Sequence, residues 1–310
     1  QQSFLSATNE KAKVEAEADS CRSRLSLAER LVYGLSSEKV RWGSEVEVLK
    51  EKNISLAGDV LLSAAFVSYI GAFNAPLRTA LWSKKWIDDL NSREIPVTNE
   101  IDPLQQLTND AEVANWLNPG LPADRMSKEN GAMIMSCSRW PLIIDPQLQG
   151  ITWLRNKESD PERALQIVRL GQGDLIRKLE RALENGTTVL IENIAETIDA
   201  VLNPVIQRAV IKRGKKMYLK LGDTEVEFHK KFKLFLHTKL SNPHYPPEIQ
   251  AETTLINFTV TSVGLEDQLL ALVVRKERLD LATLSEDLVK QQNDFTIKMK
   301  QLEDNILHKL

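Results

Sequence analysis

With 310 residues the chain is long enough for one large domain or two modest ones, and a formal net charge of -3 with 27% charged residues offers no nucleic-acid footprint. Two cysteines, Cys21 and Cys137, are too few for a disulfide framework and point to a reducing compartment. The longest apolar stretch, 60–73, is too short to span a bilayer and reads as a buried helix, so no membrane partner is expected. The chain opens at Gln1 inside a helical pattern, without a signal peptide or initiator Met, and is expected to be a piece of something longer.

The N-terminal segment repeats every seven residues. Ala7, Val14, Cys21, Ala28 and Leu35 share one heptad position, and Phe4, Ala18, Leu25 and Val32 the other, with Lys11 as the polar intruder. This seam of about five heptads predicts a coiled-coil helix whose partner strand comes from elsewhere, gripped weakly because Ala7, Cys21 and Ala28 are small. Residues 53–90 continue as helical text. Ile95-Pro96, Asp102-Pro103 and Asn118-Pro119-Gly120-Leu121-Pro122 then mark a loop-rich stretch.

Short apolar runs at 132–135, 141–144, 188–191 and 234–236 read as buried strands, separated by helical text at 147–155, 161–171 and 175–184. That alternation predicts an α/β fold, a parallel sheet with flanking helices. Residues 217–221 and 225–228 around Gly222-Asp223 form a predicted β-hairpin. The basic run Lys212-Arg213-Gly214-Lys215-Lys216 reads as a solvated turn. At the end Val274, Leu281, Leu288, Phe295 and Leu302 repeat at seven and predict a second long helix.

A phosphate-binding loop needs glycines and a lysine between a buried strand and a helix. The strand 141–144 leads into such a turn, but it reads Asp145-Pro146-Gln147-Leu148-Gln149-Gly150, with one glycine, no lysine and a proline that lacks an N–H. The later strand 188–191 ends in Glu192-Asn193, where a hydrolysing Walker B strand ends in Asp and then Glu; Asn193 cannot accept a proton. The four histidines, His229, His237, His244 and His308, lack zinc-site spacing, and no catalytic or metal-binding residue is assigned. The six tryptophans read as packing anchors.

Taken in order, these phrases resemble the dynein heavy chains. The likeness runs through Leu31-Val32-Tyr33-Gly34-Leu35, Gly58-Asp59-Val60-Leu61-Leu62, Ser127-Lys128-Glu129-Asn130-Gly131 and Pro141-Leu142-Ile143-Ile144-Asp145-Pro146-Gln147. It continues through Leu190-Ile191-Glu192-Asn193-Ile194 and Ile256-Asn257-Phe258-Thr259. Thr238-Lys239-Leu240-Ser241-Asn242-Pro243-His244-Tyr245 is similar to axonemal, outer-arm types.

The resemblance implies an AAA+ type sheet with long coiled-coil helices at both ends. It also implies a layout: 1–50 as the returning stalk helix, 51–103 as helices closing the fourth AAA+ module, 104–262 as the large subdomain of the fifth, and 263–310 as the start of its small subdomain and the buttress helix. In such a chain this stretch is a non-hydrolysing, mechanical part of a microtubule motor, without a cofactor of its own, while ATP, ADP and Mg²⁺ act in other modules. Expected partners are the ascending stalk helix and neighbouring AAA+ modules, microtubules through the stalk tip, and other dynein arm subunits. The expected location is the axoneme of a cilium or flagellum, on the cytoskeletal, cytoplasmic side. The stalk seam would comprise Ala7, Val14, Cys21, Leu25, Ala28, Val32 and Leu35. Two readings compete with it. One is a regulatory nucleotide-binding module or ATPase; the other is a coiled-coil scaffold outside any motor. Arg208 and Arg213 are candidates for an arginine finger.

Overall fold

The computed structural model describes residues 2–159, 165–171 and 173–309, with the side chains of 2–9, 37 and 263 outside the description. The chain divides into two compact units, Gln1–Leu56 and Ala57–Leu310.

The first unit is helical: α1 (Gln2–Gly34) and the first half of α2 (Ser36–Tyr69). Leu35 donates its N–H to the Leu31 carbonyl at 2.9 Å and accepts from Lys39 at 2.9 Å, so helical bonding runs through the residue between them. Of the predicted seam, Cys21 and Ala28 are exposed, Val14, Leu25 and Val32 are 63%, 61% and 71% exposed, and Leu35 is half-buried. Apart from Leu35, these side chains are therefore largely uncovered among the described residues. The side chains of Phe4 and Ala7 lie outside the described residues.

In the second unit the end of α2 buries Leu62 and Phe66, spaced four apart on one face, and Ile70 just past its end is buried too, while Val60, Leu61 and Tyr69 stay exposed. The stretch 60–73 is thus half-buried, and the helix ends at Tyr69 rather than running through it. Short helices follow: α3 (Ala75–Ala80), a π-helical turn (Leu81–Trp86), α4 (Ile87–Ser92), α5 (Pro103–Leu107) and α6 (Asp110–Leu117), the last opened by an Asn109/Glu112 capping box. Residues 132–135, expected as a strand, belong to α7 (Arg125–Ser136). Asp124 caps it, its carboxylate accepting from the Ser127 N–H at 3.0 Å and the Ser127 hydroxyl at 2.6 Å.

Then come β1 (Trp140–Ile144), α8 (Gln149–Lys157), β2 (Gln166–Arg169), α9 (Leu175–Asn185) and β3 (Thr188–Glu192). The helix expected over 161–171 is corrected here: 160–164 lie outside the described residues, and 166–169 pair with β3 as an edge strand. After α10 (Asn203–Ile206), β4 (Val210–Arg213), β5 (Lys216–Leu221) and β6 (Thr224–Glu227) form an antiparallel sheet. The basic run therefore supplies strand ends around a turn at Gly214, whose φ is +64°. β7 (Lys233–Thr238), α11 (Pro247–Glu252) and β8 (Thr253–Asn257) complete the core, followed by α12 (Ser262–Glu277) and α13 (Leu279–Lys309).

Among the described residues the main sheet has the order β2-β3-β7-β1-β8, with every pairing parallel. Alternate residues enter opposite layers. Leu142, Ile191 and Leu236 join Leu179 and Leu183 of α9 on one face; Ile143, Leu190 and Phe235 join Met133, Trp116 and Trp153 on the other. Both faces are covered, which explains why these strands read as unbroken apolar runs. The carboxyl ends of β1, β7 and β3 lie side by side, where open α/β sheets place their ligands. This is the AAA+ type of parallel sheet, with long helices at both ends of the chain.

Candidate functional site

At the end of β1 the chain turns through Pro146 and Gln147 into α8. Asp145 is fully buried and turns its carboxylate onto the start of that helix. One oxygen accepts from the Gln149 N–H and the other from the Ile151 N–H, both at 3.0 Å. Burial pushes the Asp145 carboxyl above its usual range, against the pull of these N–H groups and of His237. Leu148 holds a left-handed φ of +62° in the tight turn. Gly150 allows close packing, since a Cβ there would sit 3.0 Å from the Phe258 ring. Where a phosphate-binding lysine would follow the glycine stands Ile151, 2% exposed in the core.

Glu192, at the end of β3, is buried beside two arginines. Its carboxylate accepts from Arg155 of α8 and from Arg169 of β2, the latter at 3.3 Å. Burial alone would raise its pKa, but the hydrogen bonds and charges of Arg155 and Arg169 bring it below the usual carboxylate value. Asn193 has a left-handed φ of +56° and donates its backbone N–H to His237 Nδ1 at 3.2 Å. The imidazole proton is therefore on Nε2, which faces the Asp145 carbonyl oxygen at 3.4 Å. Burial holds His237 below the ordinary imidazole value, outweighing Asp145 and Glu192, and Lys239 acts in the same direction.

Backbone bonds knit these ends together. The Asp145 N–H donates to the Thr238 carbonyl at 3.0 Å and the Ile194 N–H to the His237 carbonyl at 2.8 Å. The Thr238 hydroxyl donates to the Ile194 carbonyl at 2.8 Å. The cleft above them, about 310 Å³, is walled by Leu148, Arg155, Arg169, Glu192, His237 and Lys239. The sequence identified Asp145–Gly150 and Glu192-Asn193, and the topology brings them together. It did not single out Arg155, Arg169, His237 or Lys239 for this cleft, because they come from α8, β2, and β7 with the residue after it, none with a motif of its own.

The other sequence candidates lie elsewhere. Arg208 stacks over the Trp140 ring at 3.7 Å, and Arg213 pairs with Glu225 at 2.8 Å in the antiparallel sheet. Trp140 donates its indole N–H to the Val205 carbonyl and Trp153 to that of Trp116, each at 2.9 Å, as packing anchors. No helix among the described residues is long and apolar enough to cross a membrane.

Residues 114–310 match the family model described as the ATP-binding dynein motor region, and residues 1–90 match that of the microtubule-binding stalk of dynein motor. Over 306 residues the chain is 53% identical to the ciliary dynein beta chain of Heliocidaris crassispina, covering 98% of this chain and 7% of that protein. It is 54% identical over 295 residues to the dynein alpha chain of the flagellar outer arm of Chlamydomonas reinhardtii, covering 95% of this chain and 6% of that one. With dynein axonemal heavy chain 17 of Homo sapiens the identity is 52% over 309 residues, 99% of this chain and 7% of that one. The chain thus spans 6–7% of the length of these relatives. An AAA+ type sheet, long flanking helices and this degree of identity place the chain in the dynein heavy-chain family, among its axonemal members.

Proposed function

We propose that this stretch is a non-hydrolysing, mechanical part of a microtubule motor, relaying movement of the motor ring to the stalk and its microtubule-binding tip. The observation that carries the reading is the Asp145 carboxylate on the N–H groups of Gln149 and Ile151. In a P-loop those donors face a phosphate; here they already hold an anion, so a nucleotide would have to displace a buried side chain. Glu192, held by two arginines, is not free to polarise an attacking water.

A relay also needs stiff joints. Arg78, 1% exposed, donates to the carbonyls of Phe73 and Gly71 at 2.8 and 2.9 Å and faces Glu129 at 3.4 Å. The Asn257 N–H at the end of β8 donates to the same Gly71 carbonyl at 2.9 Å. The loop after α2 is thereby fastened to the sheet. On this reading 1–50 is the returning stalk helix and 51–103 closes the fourth module. Residues 104–262 are the large subdomain of the fifth, and 263–310 lead into the buttress. ATP, ADP and Mg²⁺ act in other modules. The partners are the ascending stalk helix, adjacent modules, microtubules and other arm subunits, in the axoneme.

The alternative is a regulatory module that binds nucleotide without hydrolysing it. Equilibrium binding of a fluorescent ATP analogue with Mg²⁺, followed by anisotropy, separates the two. No binding up to millimolar nucleotide is the expected result. Micromolar binding would overturn the mechanical reading and make the Asp145 turn a nucleotide sensor.

A further inference from the structure

The long helix α13 is fastened to the sheet-bearing part of its unit at a narrow place. Between Thr283 and Leu302 its half-buried residues are Asn293, Thr296 and Ile297, spaced as one helical face, and the others are exposed. Asn293 of that face reaches the end of α6, against which α13 packs. Two hydrogen bonds meet there on one side chain. The Asn118 amide donates to Asp294 Oδ1 at 2.9 Å, and its carbonyl oxygen accepts from the Asn293 amide at 3.1 Å. Asn118 is exposed, so each bond competes with water and shifts an equilibrium by only about two- to ten-fold.

The seat under Asn118 is firm. Pro119 stops α6, and Gly120 turns the chain back with a φ of +100°. Two side chains of α8 grip this turn. Trp153 donates its indole N–H to the Trp116 carbonyl and Asn156 its amide to the Pro119 carbonyl, each at 2.9 Å. Leu121, buried, donates its N–H to the same Trp116 carbonyl at 3.2 Å. Because Trp153 is fully buried, the seat is fixed to α8. At its start α13 joins α12 through Arg278, the one residue between the two helices. Such a break is where a pair of helices takes up a change of φ and ψ. The Arg275–Glu286 pair that spans it is exposed and holds it weakly.

We propose that α13 is a strap, hinged at Arg278 and latched at Asn118 to a seat held by α8, that exchanges between a docked and a released state. The Arg78 joint shows the contrast: there a buried guanidinium fastens the chain, whereas the latch consists of two exposed hydrogen bonds and a narrow contact. Once released, α13 loses the packing on which helices depend in water and frays. Any use of this motion in a relay rests on the mechanical reading above. The latch itself does not, since neither Asn118 nor Asn156 lines the cleft beside Glu192.

The test is amide hydrogen exchange along the 310-residue chain, read beside its urea unfolding midpoint. Asn118→Asp removes the donor and sets a second carboxylate against Asp294. Exchange across 288–299 is expected to rise about ten-fold, while α12 and the midpoint stay as in the wild type. Asn118→Asp with Asp294→Asn supplies the donor from the other side and is expected to restore protection. Asn156→Asp removes the donor that holds Pro119 and is expected to raise exchange in α13 as well. Asn115→Asp adds the same charge at an exposed position of α6 and is expected to change nothing. Unchanged exchange in Asn118→Asp, or a midpoint that falls with it, would overturn the latch. So would a swap that fails to restore protection, or an equal rise in Asn115→Asp. No rise in Asn156→Asp would overturn the seat on α8, and exchange rising through α12 together with α13 would overturn the hinge at Arg278.

Discussion

A helix start presents unpaired N–H groups that must be satisfied, whether by a phosphate or by a carboxylate. Asp145 supplies the carboxylate from within the chain, and Glu192 then becomes the anion around which Arg155 and Arg169 gather. Replacing Glu192 by Gln would leave two cations side by side without their counter-charge. The arginines are half-exposed or more, so solvent screens them, and a loss of about 1 kcal/mol in urea unfolding is expected. The sign of the pH dependence follows from the lowered pKa of Glu192. The unfolded carboxyl takes up a proton first as pH falls, so its stabilisation is complete above about pH 4.5 and drains away below it. The advantage of the wild-type chain over Glu192→Gln is therefore expected to be flat near neutrality and to shrink in acid. An advantage that persisted unchanged below pH 4 would mean that the carboxylate is not held by its arginines.

At the scale of elements, the joint between the end of α2 and β8 depends on the absence of one side chain. A Cβ on Gly71 would lie 2.3 Å from the Leu255 carbonyl oxygen, so Gly71→Ala forces the backbones apart and loosens both the Asn257–Gly71 bond and the seat of Arg78. A loss of about 2–3 kcal/mol is expected in chemical unfolding. Gly43, inside α2, is the contrast, because a Cβ there would meet nothing within 4 Å. Gly43→Ala is expected to stabilise the helix by about 0.5–1 kcal/mol. Equal effects at the two glycines would remove the case for a stiff joint.

Legibility in the sequence followed the same physics. β1, β3 and β7 were visible because burial on both faces leaves continuous apolar runs. Residues 132–134 carry the same signature for another reason, since α7 is buried around much of its circumference there; the deciding signal lay upstream, in Asp124 and Ser127. β2 is a short edge strand with one fully buried residue, Val168, and the buried residues of β8 are Thr253, Thr254 and Ile256, two of them threonines, so it carries no continuous apolar run. The candidate site was legible where a strand end and a turn are contiguous. It was not legible where Arg155, Arg169, His237 and Lys239 are assembled by topology.

For the whole molecule the exposed seam matters most. Val14, Cys21, Leu25, Ala28 and Val32 present an apolar line largely uncovered among the described residues, the condition of one strand of a coiled coil. If the stalk signals by shifting the register of its two helices, the barrier to that shift grows with the contact each knob must give up. Cys21 and Ala28 give up little. Cys21→Leu with Ala28→Leu deepens both knobs, adding about 1–2 kcal/mol of apolar burial at each in whichever register accommodates them better. In the complete heavy chain the expected result is a microtubule affinity that changes less between nucleotide states, the ratio of the two dissociation constants falling about ten-fold, since about 1.4 kcal/mol corresponds to that factor. Microtubule co-sedimentation in both nucleotide states reads this ratio directly. An unchanged ratio would mean that the size of the seam residues does not set the ease of sliding, and the coupling would then have to reside in the contacts of α13, whose Leu288, Phe295 and Leu302 are equally exposed.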